Sequence, residues 1–107
     1  MPASALPLDA IGEGSRRELL ELLRERPRAV GELAARMPIS QPAVSQHLSV
    51  LLGAGLVTVR QEGRRRIYTL RPEGLFAVRA WVDSFWTEAL HAFGASFETT
   101  PQTGEDR

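Results

Sequence analysis

The sequence predicts a small, mainly α-helical domain with one β-hairpin, in the order helix, helix, helix, helix, hairpin, helix. Apolar residues recur at helical spacing through the first half of the chain, β-branched and aromatic runs then follow, and the helical period returns after Pro72. At 107 residues and 43% hydrophobic, the chain is long enough for one core. We therefore expect a single domain over residues 1–97 and a polar, flexible tail over residues 98–107.

The first two helices are delimited by residues typical of helix ends. A short first helix carries Leu6, Leu8 and Ile11 and ends at the glycines that follow. Ser15 is the expected N-cap of the second helix, with Glu18 three residues later in a capping-box arrangement. The second helix should end at the proline at position 27.

The third and fourth helices form a recognisable pair. The third spans about two turns and ends before Pro38, and Ser40 is the expected N-cap of the fourth. A short helix, a tight turn and a second helix with a small, polar outer face are typical of a helix-turn-helix DNA reader. The apolar residues of the fourth helix should face the core, leaving outward Gln41, Ser45, Gln46 and Ser49. Taken alone, this face is equally consistent with a solvated helix surface.

The hairpin supports the DNA interpretation. Its predicted strands are residues 56–60 and 66–70, and the polar link 61–65 contains a glycine. Arg64, Arg65 and Arg66 stand at its tip, and three adjacent cations repel one another unless an anionic partner is near. Four helices and such a wing make a winged helix-turn-helix. The alternative, an arginine run that serves only solubility, does not explain its position beside the reader.

The net charge is zero, from 13 basic and 13 acidic residues, but the charges are segregated. Residues 31–71 hold six arginines against two glutamates, whereas residues 72–107 hold two arginines against six acids. The total is thus a cancellation between a basic middle and an acidic end, and it does not argue against nucleic acid as a partner.

Several classes of protein are excluded or disfavoured. The absence of cysteine excludes disulfides, thiolate metal sites and a cysteine nucleophile. No long apolar run or secretory signal is present, so we expect a cytoplasmic protein without a membrane partner. His47 and His91 lie far apart in sequence and have no nucleophile turn nearby, so we expect no enzyme. The main rival is a winged helix that binds protein and not DNA.

The motifs together resemble those of the ArsR-type (ArsR/SmtB-like) transcriptional regulators, as a cysteine-free member. The resemblance covers about residues 5–97 and rests on these segments: Leu8 to Arg17, Val30-Gly31-Glu32-Leu33-Ala34, Ser40 to Leu48, Ala54-Gly55-Leu56-Val57 and Gly63 to Tyr68. It implies a homodimer that binds double-stranded DNA, usually as a repressor released by an inducer. By position it implies contacts from Ser40, Gln41, Ser45, Gln46, His47 and Ser49 of the fourth helix and from Arg64, Arg65 and Arg66 of the wing.

The resemblance also bears on sensing. Metal-sensing members often carry two cysteines after a Glu-Leu in the third helix, but here Glu32-Leu33 is followed by Ala-Ala-Arg, so that site is absent. Other members use carboxylates and histidines of the last helix, shared across the dimer. The comparable residues are Asp83, Glu88 and His91, which could contribute to a nickel or zinc site. A solvated acidic face is the simpler interpretation, and the effector, metal or small molecule, stays unidentified.

The last segment holds six of the seven aromatic residues of the chain. Its apolar positions spread over more than one helical face, which is more than a single packed stripe needs. We therefore expect a subunit interface formed by the last helix and the first, through Leu6, Leu8, Ile11, Trp81, Phe85 and Trp86. The alternatives are that these aromatics close a monomer core or line a small-molecule pocket.

Overall fold

The structure, a computed structural model, describes residues 6–97, with side chains to residue 93. The predicted tail, residues 98–107, lies outside this range. The elements are α1 (Pro7–Ala10), α2 (Gly14–Glu25), β1 (Arg28–Ala29), α3 (Val30–Ala35), α4 (Gln41–Gly53), β2 (Val57–Glu62), β3 (Arg65–Leu70), a 3₁₀ turn (Pro72–Leu75) and α5 (Phe76–Phe97). The predicted fold class is confirmed. No helix in the described range is long and apolar enough to cross a membrane.

The sheet has three antiparallel strands in the order β1-β3-β2, one more than the predicted hairpin. The added strand, β1, pairs Arg28 with Tyr68 and Ala29 with Ile67. Arg28 is only 3% exposed, and its Nε donates to the carbonyl of Leu22 at 3.1 Å, near the carboxyl end of α2. A buried guanidinium thus ties the end of α2 to the sheet, because a carbonyl at a helix end needs a donor.

The structure confirms one of the two predicted N-caps and contradicts the other. Ser40 caps α4, since its Oγ accepts from the backbone N–H of Ala43 at 3.3 Å. Ser15 does not cap α2. The helix begins at Gly14, and its N-cap is Glu13, whose carboxylate accepts from the N–H of Arg16 at 3.0 Å. A carboxylate is a strong cap because its charge also interacts favourably with the helix dipole.

The core lies between α2, α3, α4 and the sheet. Its central side chains are fully buried: Leu19, Leu33, Val44, Leu48, Leu51 and Leu56. The spacing of four and then three residues from Val44 to Leu51 places the α4 members on one side of that helix. The opposite side of α4 is thereby left outside the core.

The start of α5 is held closely against the end of α4. Gly55 has a φ of +75°, the left-handed conformation that favours glycine after a helix. A Cβ at Gly74 would lie 2.1 Å from the Gly55 carbonyl oxygen, so the 3₁₀ turn needs glycine there. The N–H of Arg71 also donates to the carbonyl of Leu56 at 2.8 Å. From this junction the 22-residue α5 extends for about 33 Å.

Candidate nucleic-acid interface

Helices α3 and α4, joined by residues 36–40, form the predicted helix-turn-helix. Val44, Leu48 and Leu51 of α4 are fully buried against the core. The predicted outer residues Gln41, Ser45, Gln46 and Ser49 are all exposed, as is Ser40. Gln41, Ser45 and Ser49 recur every four residues and therefore lie along one strip of the helix. The outer strip is polar and built mostly of small side chains, which would permit close approach to a groove.

His47 differs from the other predicted reading residues. Its side chain is 22% exposed, and its Nδ1 lies 3.2 Å from Nη1 of Arg16 on α2. The same nitrogen lies 3.9 Å from a carboxylate oxygen of Glu13. His47 is therefore held at the contact between α4 and α2, and is not on the open outer strip.

The wing is a tighter hairpin than predicted. Residues 61–65 do not form a five-residue link, because β2 continues to Glu62 and β3 begins at Arg65. These two residues pair across the strands, leaving a two-residue turn at Gly63 and Arg64. Gly63 has a φ of +63°, which two-residue hairpin turns favour. The shorter turn places Arg65 and Arg66 on β3 and Arg64 in the turn itself.

The three wing arginines are exposed but have different surroundings. Arg65 Nη2 donates to the Glu32 carboxylate of α3 at 3.2 Å, although the two residues lie 33 positions apart. The Arg66 guanidinium lies 5.8 Å from the ring centroid of Tyr68, in a cation–π arrangement. Within the described residues Arg64, at the turn, has no hydrogen-bonding or ionic partner. Arg64 is thus the wing cation most available to an incoming anion.

A groove of about 540 Å³ runs between α4, the start of α3 and the wing. Five of the predicted DNA-binding residues line it: Gln41, Ser45, Arg64, Arg65 and Arg66. Ser40, Gln46, His47 and Ser49 do not. Residues 29–32 form the rest of the wall. The groove brings the amino-terminal part of α4 and the wing, about twenty residues apart in sequence, to one surface.

Glu32 is a residue of this groove that was not predicted from the sequence. Its carboxylate accepts from the N–H of Ala29 at 2.9 Å and from Arg26 and Arg65 at 3.2 Å each. The Ala29 N–H, followed by the Arg26 guanidinium, holds the pKa of Glu32 below its ordinary value. Glu32 anchors the wing to α3 and partly offsets its positive charge. As residue N3 of α3 it accepts from the N-cap N–H, but no sequence pattern indicates a partner 33 residues away.

The last helix presents a separate, apolar surface. Trp81, Val82, Phe85 and Trp86 line a shallow groove, and 49%, 57% and 63% of Trp81, Phe85 and Trp86 are exposed. The Trp81 and Phe85 rings meet edge to face with centroids 4.7 Å apart. Leu6, the N-cap of α1, and Leu8 within that helix are also exposed. Trp81, Phe85 and Trp86 therefore do not close the core formed by the described residues.

Ile11 is the one predicted interface residue with a different location. It is half-buried and lines a smaller, apolar cavity of about 220 Å³ between α1, α2 and the 3₁₀ turn. Its apolar companions in this cavity are Leu20, Leu70 and Leu75.

The predicted metal ligands are not gathered within one chain. Asp83 lies 3.6 Å from Arg79, and Asp83, Glu88 and His91 are all exposed. Among residues 6–97, no group of three or more histidine, aspartate or glutamate side chains is placed to hold a metal ion. A site shared between two subunits stays a prediction.

Comparisons with known proteins agree with this geometry. Residues 13–59, from the cap of α2 to β2, match the family described as bacterial regulatory protein, arsR family. The HTH-type transcriptional regulator Rv2034 of Mycobacterium tuberculosis is 52% identical over 84 residues, covering 78% of this chain and 78% of that protein.

Solved structures show the same fold. A crystal structure described as that of a possible transcriptional regulator for arsenical resistance superposes with a TM-score of 0.73 and 46% identity, over 86% of this chain and 96% of that one. A homodimeric winged helix-turn-helix DNA-binding domain, Mb0332 from Mycobacterium bovis, gives a TM-score of 0.62 and 30% identity, over 80% of each chain. The chain therefore belongs to the ArsR family of transcriptional regulators and carries that family's DNA-binding winged helix-turn-helix.

Proposed function

We propose that this protein is a sequence-specific transcriptional repressor that binds an imperfect palindromic operator as a homodimer. The observation that carries the proposal is the groove that unites the α4 residues Gln41 and Ser45 with all three wing arginines. A reading helix needs polar side chains that reach base edges, and its flanks need cations that meet phosphates. This groove supplies both on one surface.

In this proposal α4 enters the major groove and the wing lies along the flanking backbone. The amide of Gln46 is exposed and can make paired hydrogen bonds with an adenine edge. Gln41 and the outer serines reach bases or phosphates near it. Arg64 contacts phosphate first, because Arg65 and Arg66 already have partners in the free protein.

The apolar surface of α5 supports pairing of two copies. Monomeric soluble proteins rarely expose a contiguous group of large aromatics such as Trp81, Phe85 and Trp86. A related domain of the same fold is homodimeric. Two-fold pairing would place two α4 helices about one turn of DNA apart, so the operator should be palindromic.

The repressor part of the proposal requires an operator that overlaps a promoter. A dimer that covers two adjacent major-groove segments on one face excludes RNA polymerase from any promoter it overlaps. Placing the operator over a promoter in a purified transcription assay should lower transcript yield as protein is added. A rise in yield would contradict repression and leave the DNA-binding proposal intact.

Selection of bound fragments from random duplex DNA tests DNA binding directly. Wild-type protein should enrich an imperfect palindrome, whereas Gln46→Ala should enrich a degenerate version of it, because alanine cannot hydrogen-bond to a base. Parallel selections with added nickel, with added zinc and with neither would show whether a metal changes the result. No enrichment by the wild-type protein would contradict the proposal and favour the rival winged helix that binds protein.

A further inference from the structure

Arg16, at the start of α2, contacts three elements at once. Its Nε donates to the carbonyl of Ala10, the last residue of α1, at 2.6 Å. Its Nη1 lies 3.2 Å from Nδ1 of His47 on α4. Its backbone N–H donates to the Glu13 carboxylate that caps α2. One side chain therefore joins the end of α1 to the DNA-reading helix.

The chemistry of the Arg16–His47 contact fixes the role of the imidazole. A guanidinium has only donors, so Nδ1 of His47 must accept the hydrogen bond, and the ring proton lies on Nε2. Glu13, 3.9 Å from Nδ1, is the other charged group that faces this nitrogen. With 22% of the side chain exposed, His47 is mostly committed to its contact with α2.

Helix α1 depends on such contacts for its position. It comprises four residues, too few for a helix that is stable alone, and its N-cap Leu6 provides no side-chain hydrogen bond. Arg16 and Arg17 both donate to carbonyls at its carboxyl end, the latter to Ile11 at 2.7 Å. Of these two arginines, Arg16 is the one that also reaches α4.

We propose that Arg16 and His47 are positioning residues that set α4 relative to α1, and thereby the spacing of the two reading helices in the dimer. This inference rests on the proposed function, since α1 and its N-cap carry Leu8 and Leu6 of the proposed interface and α4 carries the reading face. His47 then supports specific DNA binding through Arg16, without contacting a base.

The expected effect is selective. Specific binding needs both reading helices in register with the two half-sites, whereas non-specific binding depends mainly on phosphate neutralisation. Loss of the Arg16–His47 bond should therefore lower affinity for the operator by about tenfold, while affinity for random duplex DNA changes by less than about twofold.

Two amide substitutions distinguish positioning from direct DNA contact. In His47→Asn the amide oxygen can replace Nδ1 as acceptor, whereas in His47→Gln the amide reaches the place of Nε2. If His47 acts through Arg16, His47→Asn keeps operator affinity near wild type and His47→Gln loses about tenfold. If His47 contacts DNA through Nε2, the ranking is reversed and the inference is overturned.

Arg16→Lys provides an independent arm, because one ammonium cannot reproduce the two separate contacts of the guanidinium. It should lose operator affinity as His47→Gln does, and combining the two changes should cost no more than the larger single effect. Arg17→Lys is the matched control, because Arg17 makes one contact at the end of α1, to the Ile11 carbonyl, which an ammonium can keep. It has no bond to α4 that could be lost, so this variant should retain operator affinity. Additive losses in the double variant would overturn the inference.

The operator for these titrations is the duplex that the wild-type protein selects, and thermal unfolding of each variant checks its fold. If His47→Gln does not fold, Arg16→Lys compared with Arg17→Lys decides the question. Wild-type protein that selects no duplex overturns the proposed function and this inference together. Wild-type protein that selects an operator, with equal losses in His47→Asn and His47→Gln, overturns this inference alone.

Discussion

The DNA-reading half of the chain, α2 to β3, and the last helix use apolar residues for opposite purposes. In the reading half Leu19, Leu33 and Leu48 are fully buried. On α5, more than half of Phe85 and Trp86 is exposed, although both side chains are larger. The reading half completes its core within one chain, whereas α5 retains an apolar surface that the rest of residues 6–97 does not cover. Folding and assembly should therefore respond to different substitutions.

The largest expected effect is on the core of the reading half. Leu48→Ala removes a fully buried side chain and should lower the free energy of unfolding by about 2–5 kcal/mol. Leu52→Ala, on the same helix but 37% exposed, should cost less than about 1 kcal/mol. Urea unfolding monitored by circular dichroism measures both. Equal losses would contradict the assignment of one buried and one open side of α4.

A change on α5 should affect assembly more than folding. Phe85→Ser removes an aromatic ring from each side of the proposed two-fold interface, so the dimer dissociation constant should rise at least about 30-fold. The far-ultraviolet spectrum of the diluted monomer should be unchanged. Sedimentation velocity over a concentration series measures the constant.

Leu52→Ser is the control for that experiment, since it makes a similar apolar-to-polar change at an exposed site of the reading half. It should leave the dissociation constant unchanged. If Phe85→Ser behaves like Leu52→Ser, the α5 surface is not the subunit interface, and the contrast between the two regions would need another explanation.

A smaller effect is expected on the salt dependence of DNA binding, because the three wing arginines differ in their partners. Arg64→Ala should lower the slope of log affinity against log salt by about 0.9 for each phosphate that the side chain neutralises, for operator and random DNA alike. Arg65→Ala should lower it less, because Glu32 already holds that guanidinium. Arg24→Ala, an exposed arginine of α2 paired with Glu21, is the control. Equal slopes for Arg64→Ala and Arg24→Ala would show that the Arg64 side chain of the wing does not neutralise a DNA phosphate.

Local signals in the sequence were sufficient to predict most elements of the fold. Helical spacing located α4, the Ser40 cap predicted its start, and the β-branched runs predicted the wing. Strand β1 was missed because two residues are too short to show a period. The prediction of Ser15 as the α2 cap is wrong: a hydroxyl followed three residues later by glutamate is a known capping pattern, but here Glu13 caps the helix.

The candidate site was less predictable than the fold. The exposure of Gln41 and Ser45 is predicted by the helical period of α4. The position of the three arginines in the wing is predicted by their place between two β-branched runs. The partners of these residues do not, because the Glu32–Arg65 and Arg16–His47 contacts join residues 33 and 31 positions apart. Such contacts depend on how the elements pack, and a single sequence shows no periodic signal for them.

The smallest expected effect concerns Glu32 and acid. Its folded-state pKa lies below the ordinary value of 4.5, so its carboxylate contributes stability that is present above that pH and is lost as pH falls through the lowered pKa. Glu32→Gln keeps an oxygen that can accept from the Ala29 N–H but removes the charge that binds Arg26 and Arg65. The variant should therefore lose less stability than wild type on acidification.

The measurement is the urea midpoint between neutral pH and about pH 3, taken at concentrations where the protein is fully monomeric, so that assembly through α5 does not contribute. Glu21→Gln is the matched control, because Glu21 pairs with Arg24 on α2 and has no contact with the wing. It should follow the wild-type curve. If Glu32→Gln also follows that curve, the ionised Glu32 does not stabilise the wing against α3, and the lower salt response expected for Arg65→Ala would lose its physical basis.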